Sequence, residues 1–323
     1  MKKKLLPAFK YLLFLLAGIA IIYYLFKAYY TPAFIQDLKS VSIFWVLIST
    51  IAVTIANIFR TLRWQLMITP LEYRKPKFIQ VFNALMVGYL VNLALPRAGE
   101  LARCAFLAKK EKMNTVSLIG SVIAERIFDL LMLILIVFIS IFLYADIISS
   151  FLKPINFALI LNNNLPLLIL LSICFTLFIF LFLKLSKAKN PFFLKIIGLL
   201  MKLKDGLLSV KDIKQPKLFM LYTFLIWFFY LLATYLGFMM LKETSNLDFS
   251  TSILTLVAGS FGMIAPIQGG IGAYHFMVSQ CLVLLGIGGT AALVYATILH
   301  ASQTITVVVL GFLALMPKIG KKQ

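Results

Sequence analysis

The 323-residue chain is 62% hydrophobic and 13% charged, with a mean hydropathy of +1.00. Soluble domains carry roughly 25% charged residues, so this composition excludes a soluble globular protein and indicates an all-α polytopic membrane protein. The net charge of +20 would suggest a nucleic-acid partner for a soluble protein. In a membrane protein, basic residues in the loops act as topology signals, and we expect no nucleic acid.

Apolar stretches near the ~20 residues needed to span a bilayer recur along a single integral membrane domain, 1–323. The six predicted full spans are 11–26, 40–59, 114–144, 166–183, 218–241 and 291–316. Two further stretches, 78–112 and 251–285, are apolar runs broken by Pro and Gly. Such breaks are tolerated only inside protein or beside water, so we predict two re-entrant hairpins. Hydropathy alone is equally consistent with eight full spans.

Basic residues are concentrated in alternate loops. Of the 31 Lys and Arg residues, 26 lie before the first span, in 60–77, 97–112 and 184–217, or at the C-terminus. The positive-inside rule therefore places both termini in the cytoplasm and makes 184–217 a basic cytoplasmic loop. The expected location is the bacterial inner (plasma) membrane, as a multi-pass protein.

The two broken stretches share a P-x-x-G pattern. The topology has the first hairpin enter from the cytoplasm and the second from outside, so the halves, roughly 9–146 and 165–317, are inverted. This arrangement is typical of secondary transporters, whose site lies between the halves near the bilayer midplane. The predicted hairpin-turn residues are Pro96, Gly99, Pro266, Gly269, Gly270 and Gly272.

Three charged residues, Glu125, Arg126 and Asp129, lie inside the predicted span 114–144. A charge at the centre of a transmembrane helix costs ~2.5–3.5 kcal/mol on insertion scales, so all three need protein partners or water. Glu125 and Asp129 share a helix face and repel each other, so we expect a cation from the first hairpin, Arg97 or Arg103, to pair with one of them. The charges either contact a substrate or form a fixed ion-pair network that locks hairpin to helix.

Arg60, Arg63 and Trp64 end the second predicted span. We interpret them mainly as an interface anchor of basic and aromatic residues, with binding of a headgroup phosphate as the alternative. His275 and His300 have no carboxylate nearby in sequence, and the three cysteines form no C-x-x-C pair. We therefore predict no catalytic residue, no metal site and no cofactor.

Four motifs occur together and in order. They are Arg63-Trp64, L-P-R-A-G-E-L-A-R at 95–103, E-R-x-x-D at 125–129 and P-x-x-G-G-x-G at 266–272. Together they resemble the lysylphosphatidylglycerol synthase transmembrane-region family, the flippase-like membrane domain of the bacterial multiple-peptide-resistance factors. The resemblance covers roughly 10–316 and implies movement of a charged phospholipid between leaflets. Two-part members add a soluble aminoacyltransferase domain; because this chain ends at Gln323, we expect no synthase activity.

The resemblance also implies a set of substrate-binding positions. The candidates are Arg97, Glu100, Arg103, Glu125, Arg126, Asp129, Gln268 and His275. Two of them depart from the family pattern: Gln268 stands where a second Pro is common, and His275 where a Glu is common. These departures leave the lipid open, to a lysyl or alanyl lipid or to a different one.

Three functions are compatible with these features. The first is a flippase for an anionic or zwitterionic phospholipid or a lipid-linked headgroup; no nucleotide-binding motif is present, so a gradient or mass action would drive it. The second is a membrane enzyme acting on lipid-linked sugar, which would need an acidic motif such as D-x-D that the chain lacks. The third is an accessory subunit of a separately encoded lipid-modifying or polyprenyl-phosphate-sugar synthase. Membrane lipids are the expected partners in each case.

Overall fold

The computed structural model describes residues 2–71, 75–145 and 213–316, with side chains from residue 15 onward. These ranges contain helices and no strand, which confirms the prediction of an all-α polytopic membrane protein. The α-helices are α1 Lys2–Tyr29, α2 Pro32–Ser40, α3 Ile43–Ile68, α4 Phe78–Ala94, α5 Gly99–Glu111, α6 Thr115–Leu143, α7 Pro216–Phe238, α8 Phe249–Ile264, α9 Ala273–Leu284 and α10 Gly289–Leu315.

Four of the described helices, α3, α6, α7 and α10, are long and apolar enough to cross a membrane. Each overlaps a predicted span, and α1 covers the first one, but α3 continues to Ile68, beyond residue 59 where the predicted span ends. Local capping explains where α6 begins, because Asn114 Oδ1 accepts from the N–H groups of Val116 and Ser117 at 2.9 and 3.2 Å. The predicted span 166–183 and nearly all of the basic loop 184–217 lie outside the described residues.

Helices α4 and α5 form one hairpin, and α8 and α9 form another. Helix α5 has 13 residues and α9 has 12. At 1.5 Å per residue each is roughly 20 Å long, which is shorter than the ~30 Å hydrocarbon core of a bilayer. These lengths favour two broken hairpins over eight full spans. The inverted relation of the two halves stays a prediction.

Close backbone approach holds the first hairpin together. A Cβ added to Gly88 would lie 2.9 Å from the carbonyl O of Gly99, and one added to Gly99 would collide with Gly88 O and the side chain of Asn92. Asn92 Oδ1 accepts from the Gly99 N–H at 2.7 Å and so caps α5. The left-handed residue of this turn is Arg97, with φ of 63°. Gly99 is therefore needed for the close backbone approach and not for a positive φ.

The second hairpin turns through three glycines. Gly269, Gly270 and Gly272 have φ of 58°, 73° and 86°, which L-residues rarely adopt. In the helices behind the turn, a Cβ added to Gly262 would lie 2.6 Å from Tyr274 Cα. Small residues thus bring α8 and α9 into contact, as they do α4 and α5.

The two hairpin turns contact each other. Arg97 Nη2 donates to the carbonyl O of Ile264 at 3.2 Å, and a Cβ added to Gly269 would lie 2.8 Å from the Leu93 side chain. His300 of α10 fixes the second turn, because its Nε2 donates to the carbonyl O of Gly269 at 2.8 Å. The space beside the two turns is therefore enclosed by helices from both halves of the chain.

Two apolar clusters flank this space. One packs Trp64 and Met67 of α3 with Leu107 of α5. The other packs Phe238 of α7 with Tyr295 of α10. All five side chains are fully buried, so the polar site described below lies within well-packed helices.

Candidate functional site

Six charged side chains from three helices, five of them largely buried, form one cluster, here named the charge network. On α3 the two cations are three residues apart, and on α6 the two anions are four residues apart, so each pair shares one helix face. The folded chain brings the two faces together. The charge network consists of Arg60 and Arg63 of α3, Arg103 of α5, and Glu125, Arg126 and Asp129 of α6.

Glu125 is the centre of the charge network, and its side chain has no solvent exposure. Its Oε1 accepts from Arg60 Nε at 2.8 Å and from Arg126 Nη2 at 3.1 Å, with Arg63 Nη2 at 3.4 Å. Its Oε2 accepts from Arg103 Nη2 at 2.9 Å. One carboxylate thus joins four arginines from three helices, and charge-assisted bonds of this kind are the stronger ones in proteins.

Asp129 lies one turn further along α6 and completes the pairing. It accepts from Arg60 Nη2, and from Arg63 Nη2 at 2.6 Å. The same two arginines reach α7, where Arg60 Nη1 donates to Tyr230 OH at 3.3 Å and Arg63 Nη1 to Thr223 Oγ1 at 3.4 Å. The charge network therefore connects α3, α5, α6 and α7.

The charge network carries a surplus of positive charge. Four guanidinium groups face two carboxylates, a formal charge of +2. The Arg103 side chain is only 3% exposed. Two of its buried nitrogen atoms, Nε and Nη1, nevertheless have no hydrogen-bond partner among the described residues. Its guanidinium also lies over the Trp64 ring, 4.5 Å from the centroid. Buried unpaired N–H groups are costly, so this arrangement is suited to an anionic ligand.

The charge network borders a cavity of about 590 Å³, here named the central cavity. Glu100 of α5 also lines it, and the buried Glu100 Oε2 has no hydrogen-bond partner among the described residues. Counting Glu100, the charged side chains around the cavity still carry +1. The polar wall of the central cavity includes Asn57, Arg60, Tyr89, Asn92, Glu100, Arg103, Arg126, Asp129, Tyr230, His300 and Gln303.

The predicted site residues lie in three places: on the wall of the central cavity, behind that wall, and away from the cavity. Glu100, Arg103, Arg126 and Asp129 line the central cavity. Glu125 lies behind them, buried in the charge network. The cation partner was predicted correctly for Arg103, which binds Glu125, because α5 turns this residue toward α6.

Three predicted residues lie away from the central cavity. Arg97 pairs with neither carboxylate; it lines a second, open groove, and its guanidinium donates to a backbone carbonyl. Gln268 and His275 are buried and line neither space. His275 Nδ1 instead accepts from the Gly272 N–H at 3.3 Å, which holds the start of its own helix. The structure therefore places His275 in the first turn of α9 and Gln268 in the second hairpin turn.

The interpretation of Arg60, Arg63 and Trp64 as an interface anchor is wrong. Their relative exposures are 7%, 0% and 0%. Trp64 Nε1 donates to Ser121 Oγ at 3.0 Å, so the ring packs against α6 as well as under Arg103. Two arginines share one face of α3, and two carboxylates share one face of α6. This spacing was the sequence signal that could have identified the ion pairs between the two helices.

Several cavity residues carried no sequence signal. Tyr89, Tyr230 and His300 line the central cavity from α4, α7 and α10. A single tyrosine or histidine in an apolar helix looks the same whether it packs in a core or faces a cavity. No group of three or more His, Cys, Asp or Glu side chains is placed to hold a metal ion in the described ranges.

Comparison with known proteins bears on the family. The family model described as the lysylphosphatidylglycerol synthase TM region matches residues 11–311, which include both hairpins and the whole charge network. No curated protein and no solved structure was found to match the chain. With a match over nearly its entire length, this multi-pass membrane protein belongs to the lysylphosphatidylglycerol synthase transmembrane-region family.

Proposed function

We propose that the protein moves a charged phospholipid, or another lipid-linked headgroup that contains a phosphate, between the leaflets of the bacterial inner membrane. The observation that carries this proposal is the surplus of arginine beside the central cavity. Arg103 supports it most directly, because two of its buried nitrogen atoms, Nε and Nη1, have no hydrogen-bond partner within the described ranges. Membership of a family of lipid-related membrane domains agrees with it.

The chemistry of the arginines favours a phosphate. A guanidinium presents several N–H donors in a planar fork that matches the oxygens of a phosphate, and a phosphodiester carries one negative charge. Binding one such group would reduce the surplus charge around the central cavity and satisfy Arg103. Glu100 offers an acceptor for an amine in the same cavity. A zwitterionic headgroup therefore fits the lining as well as an anionic one.

The position of the cavity favours translocation. A headgroup crossing a bilayer needs a polar path, because a charge in hydrocarbon is costly. The central cavity supplies polar groups from α3 to α8 and from α10, while much of the outer face of α6 is apolar. On this proposal the headgroup travels through protein and the acyl chains stay in lipid. The protein makes and breaks no covalent bond, and both termini face the cytoplasm.

Leaflet-resolved lipid movement in proteoliposomes tests the proposal. Purified protein is reconstituted with a trace of phospholipid fluorescent on one acyl chain, and an impermeant quencher reports the outer-leaflet fraction. Faster exchange than in protein-free liposomes, without added nucleotide, is the expected result. A new lipid product would favour the membrane enzyme. Unchanged leaflets and unchanged lipids would favour the accessory subunit of a separate synthase.

A further inference from the structure

A second space lies next to the central cavity and has a different character. This outer groove has a volume of about 610 Å³ and is open along one side. Its apolar wall comes from α5 and α6, and its polar rim from the first hairpin turn and the charge network. The side chains that define it are Leu101, Ile119, Val122 and Ile123 on the wall and Arg97 and Arg126 on the rim.

The two spaces adjoin through shared side chains. Arg126 and Glu100 line both of them, as do Asn92, Ile264 and Gly269. Arg126 is the most exposed member of the charge network, at 44%, and both of its ion pairs use the same Nη2 atom. A rotamer change of this side chain would break both ion pairs without moving a helix.

An exposed apolar stripe continues from the outer groove along α6. Ile123, Ile127, Leu130 and Ile134 follow one helix face, and their exposures are 42%, 43%, 54% and 55%. The spacing of three to four residues keeps them on that face. A ligand that occupied the groove would thus meet arginine at one end and an open apolar surface at the other. A soluble anion matches only the first of these features.

We infer that the outer groove is a lateral portal for a diacyl glycerophospholipid, through which the headgroup passes Glu100 and Arg126 while the acyl chains lie along α6. The inference rests on the proposed function and adds the route by which the lipid reaches the central cavity. The occupant is amphipathic because its phosphate complements the arginine surplus and its chains complement the stripe. Arg126 opens the boundary by exchanging a carboxylate for the lipid phosphate.

A reversible block of the groove tests this portal. Ile123→Cys is made in a Cys174→Ser background, since the two described cysteines, Cys104 and Cys281, are buried. After reconstitution, the thiol is modified with a bulky methanethiosulfonate reagent, and dithiothreitol later removes it. Because the protein is already folded when it is modified, a loss of activity reports on access rather than on folding.

The matched control is Ile79→Cys on α4, which is exposed to 44%, close to the 42% of Ile123, but lies outside the α6 stripe and outside both spaces. Modification at Ile123→Cys should slow lipid exchange at least fivefold, and dithiothreitol should restore it, while modification at Ile79→Cys should leave it unchanged. Equal effects at both positions would contradict the portal, as would a thiol at 123 that does not react.

The test also separates this inference from the proposed function. If modification at Ile123→Cys has no effect while Arg103→Gln slows exchange, the portal is wrong and the proposed function stands. If the unmodified protein moves no lipid in the leaflet assay, the proposed function fails, and the portal fails with it.

Discussion

Replacing Glu125 with Gln removes the carboxylate that joins four arginines in the charge network. The side chain keeps its size but loses its charge, so the formal charge of the network rises from +2 to +3. Removing one partner of a buried ion pair typically costs about 3–5 kcal/mol, because it leaves an uncompensated buried charge. A tenfold change in an equilibrium constant corresponds to about 1.4 kcal/mol, so the ratio of folded to unfolded protein should fall by a factor between about a hundred and a few thousand.

The assay is thermal unfolding of the purified protein in lipid nanodiscs, with the same change at Glu100 as the matched control. Glu100 has no ion pair within 4.0 Å in the part of the chain that the structure describes. Glu100→Gln should therefore unfold within a few degrees of the wild type, and Glu125→Gln far below it. Wild-type stability of Glu125→Gln would refute the reasoning.

A second substitution tests whether Glu125→Gln destabilises the protein through the lost charge or through lost packing. Arg103→Met in the Glu125→Gln background removes one uncompensated cation, so the double variant should be more stable than Glu125→Gln alone. A charge swap, Glu125→Arg with Arg103→Glu, should fail, because the guanidinium introduced on α6 would still face Arg60 and Arg63. If the charge swap restores stability and Glu125→Gln with Arg103→Met does not, Glu125 interacts with Arg103 alone.

Three further predictions concern the turn, the cavity wall and the topology. Gly99→Ala should reduce the yield of folded protein, because the added Cβ would collide with Gly88 O. The control Gly288→Ala, where no atom lies within 4 Å of the added Cβ, should not reduce the yield, and equal yields for the two variants would contradict this prediction. Tyr230→Phe removes the 3.3 Å bond to Arg60 and should lower stability by only about 0.5–1.5 kcal/mol in the same thermal assay; a larger loss would give Tyr230 a greater role. Cysteines introduced at Asn163 and Ser245 should react with an impermeant external thiol reagent in intact cells, and one at Lys204 should not; labelling at Lys204 would overturn the predicted topology.

Much of the fold follows from hydrophobic length and from Pro and Gly. Long apolar runs predicted α3, α6, α7 and α10, because only helices satisfy the backbone in lipid. The P-x-x-G breaks predicted both hairpins. What the pattern did not predict was the residue with positive φ in the first turn, since Arg97 adopts a conformation that glycine adopts more readily.

The site was predicted from the cost of buried charge, and the errors follow from that argument. Glu125 and Asp129 had to find cations, and the first hairpin offered the nearest ones in sequence. Arg60 and Arg63, the two α3 cations that contact both carboxylates, stand at the end of an apolar run, where basic residues also act as topology signals. Sequence spacing shows which residues share a helix face but not what that face contacts. Arg103 was found for the right reason, because its helix packs against α6.

The most direct measurement is the rate of lipid exchange in proteoliposomes containing Arg103→Gln, compared with Lys110→Gln. Both changes remove one positive charge from α5, but Lys110 is exposed and lies outside the central cavity. We predict that Arg103→Gln slows exchange at least tenfold and that Lys110→Gln leaves it at the wild-type rate. Equal rates for the two folded variants would contradict the claim that Arg103 binds the headgroup.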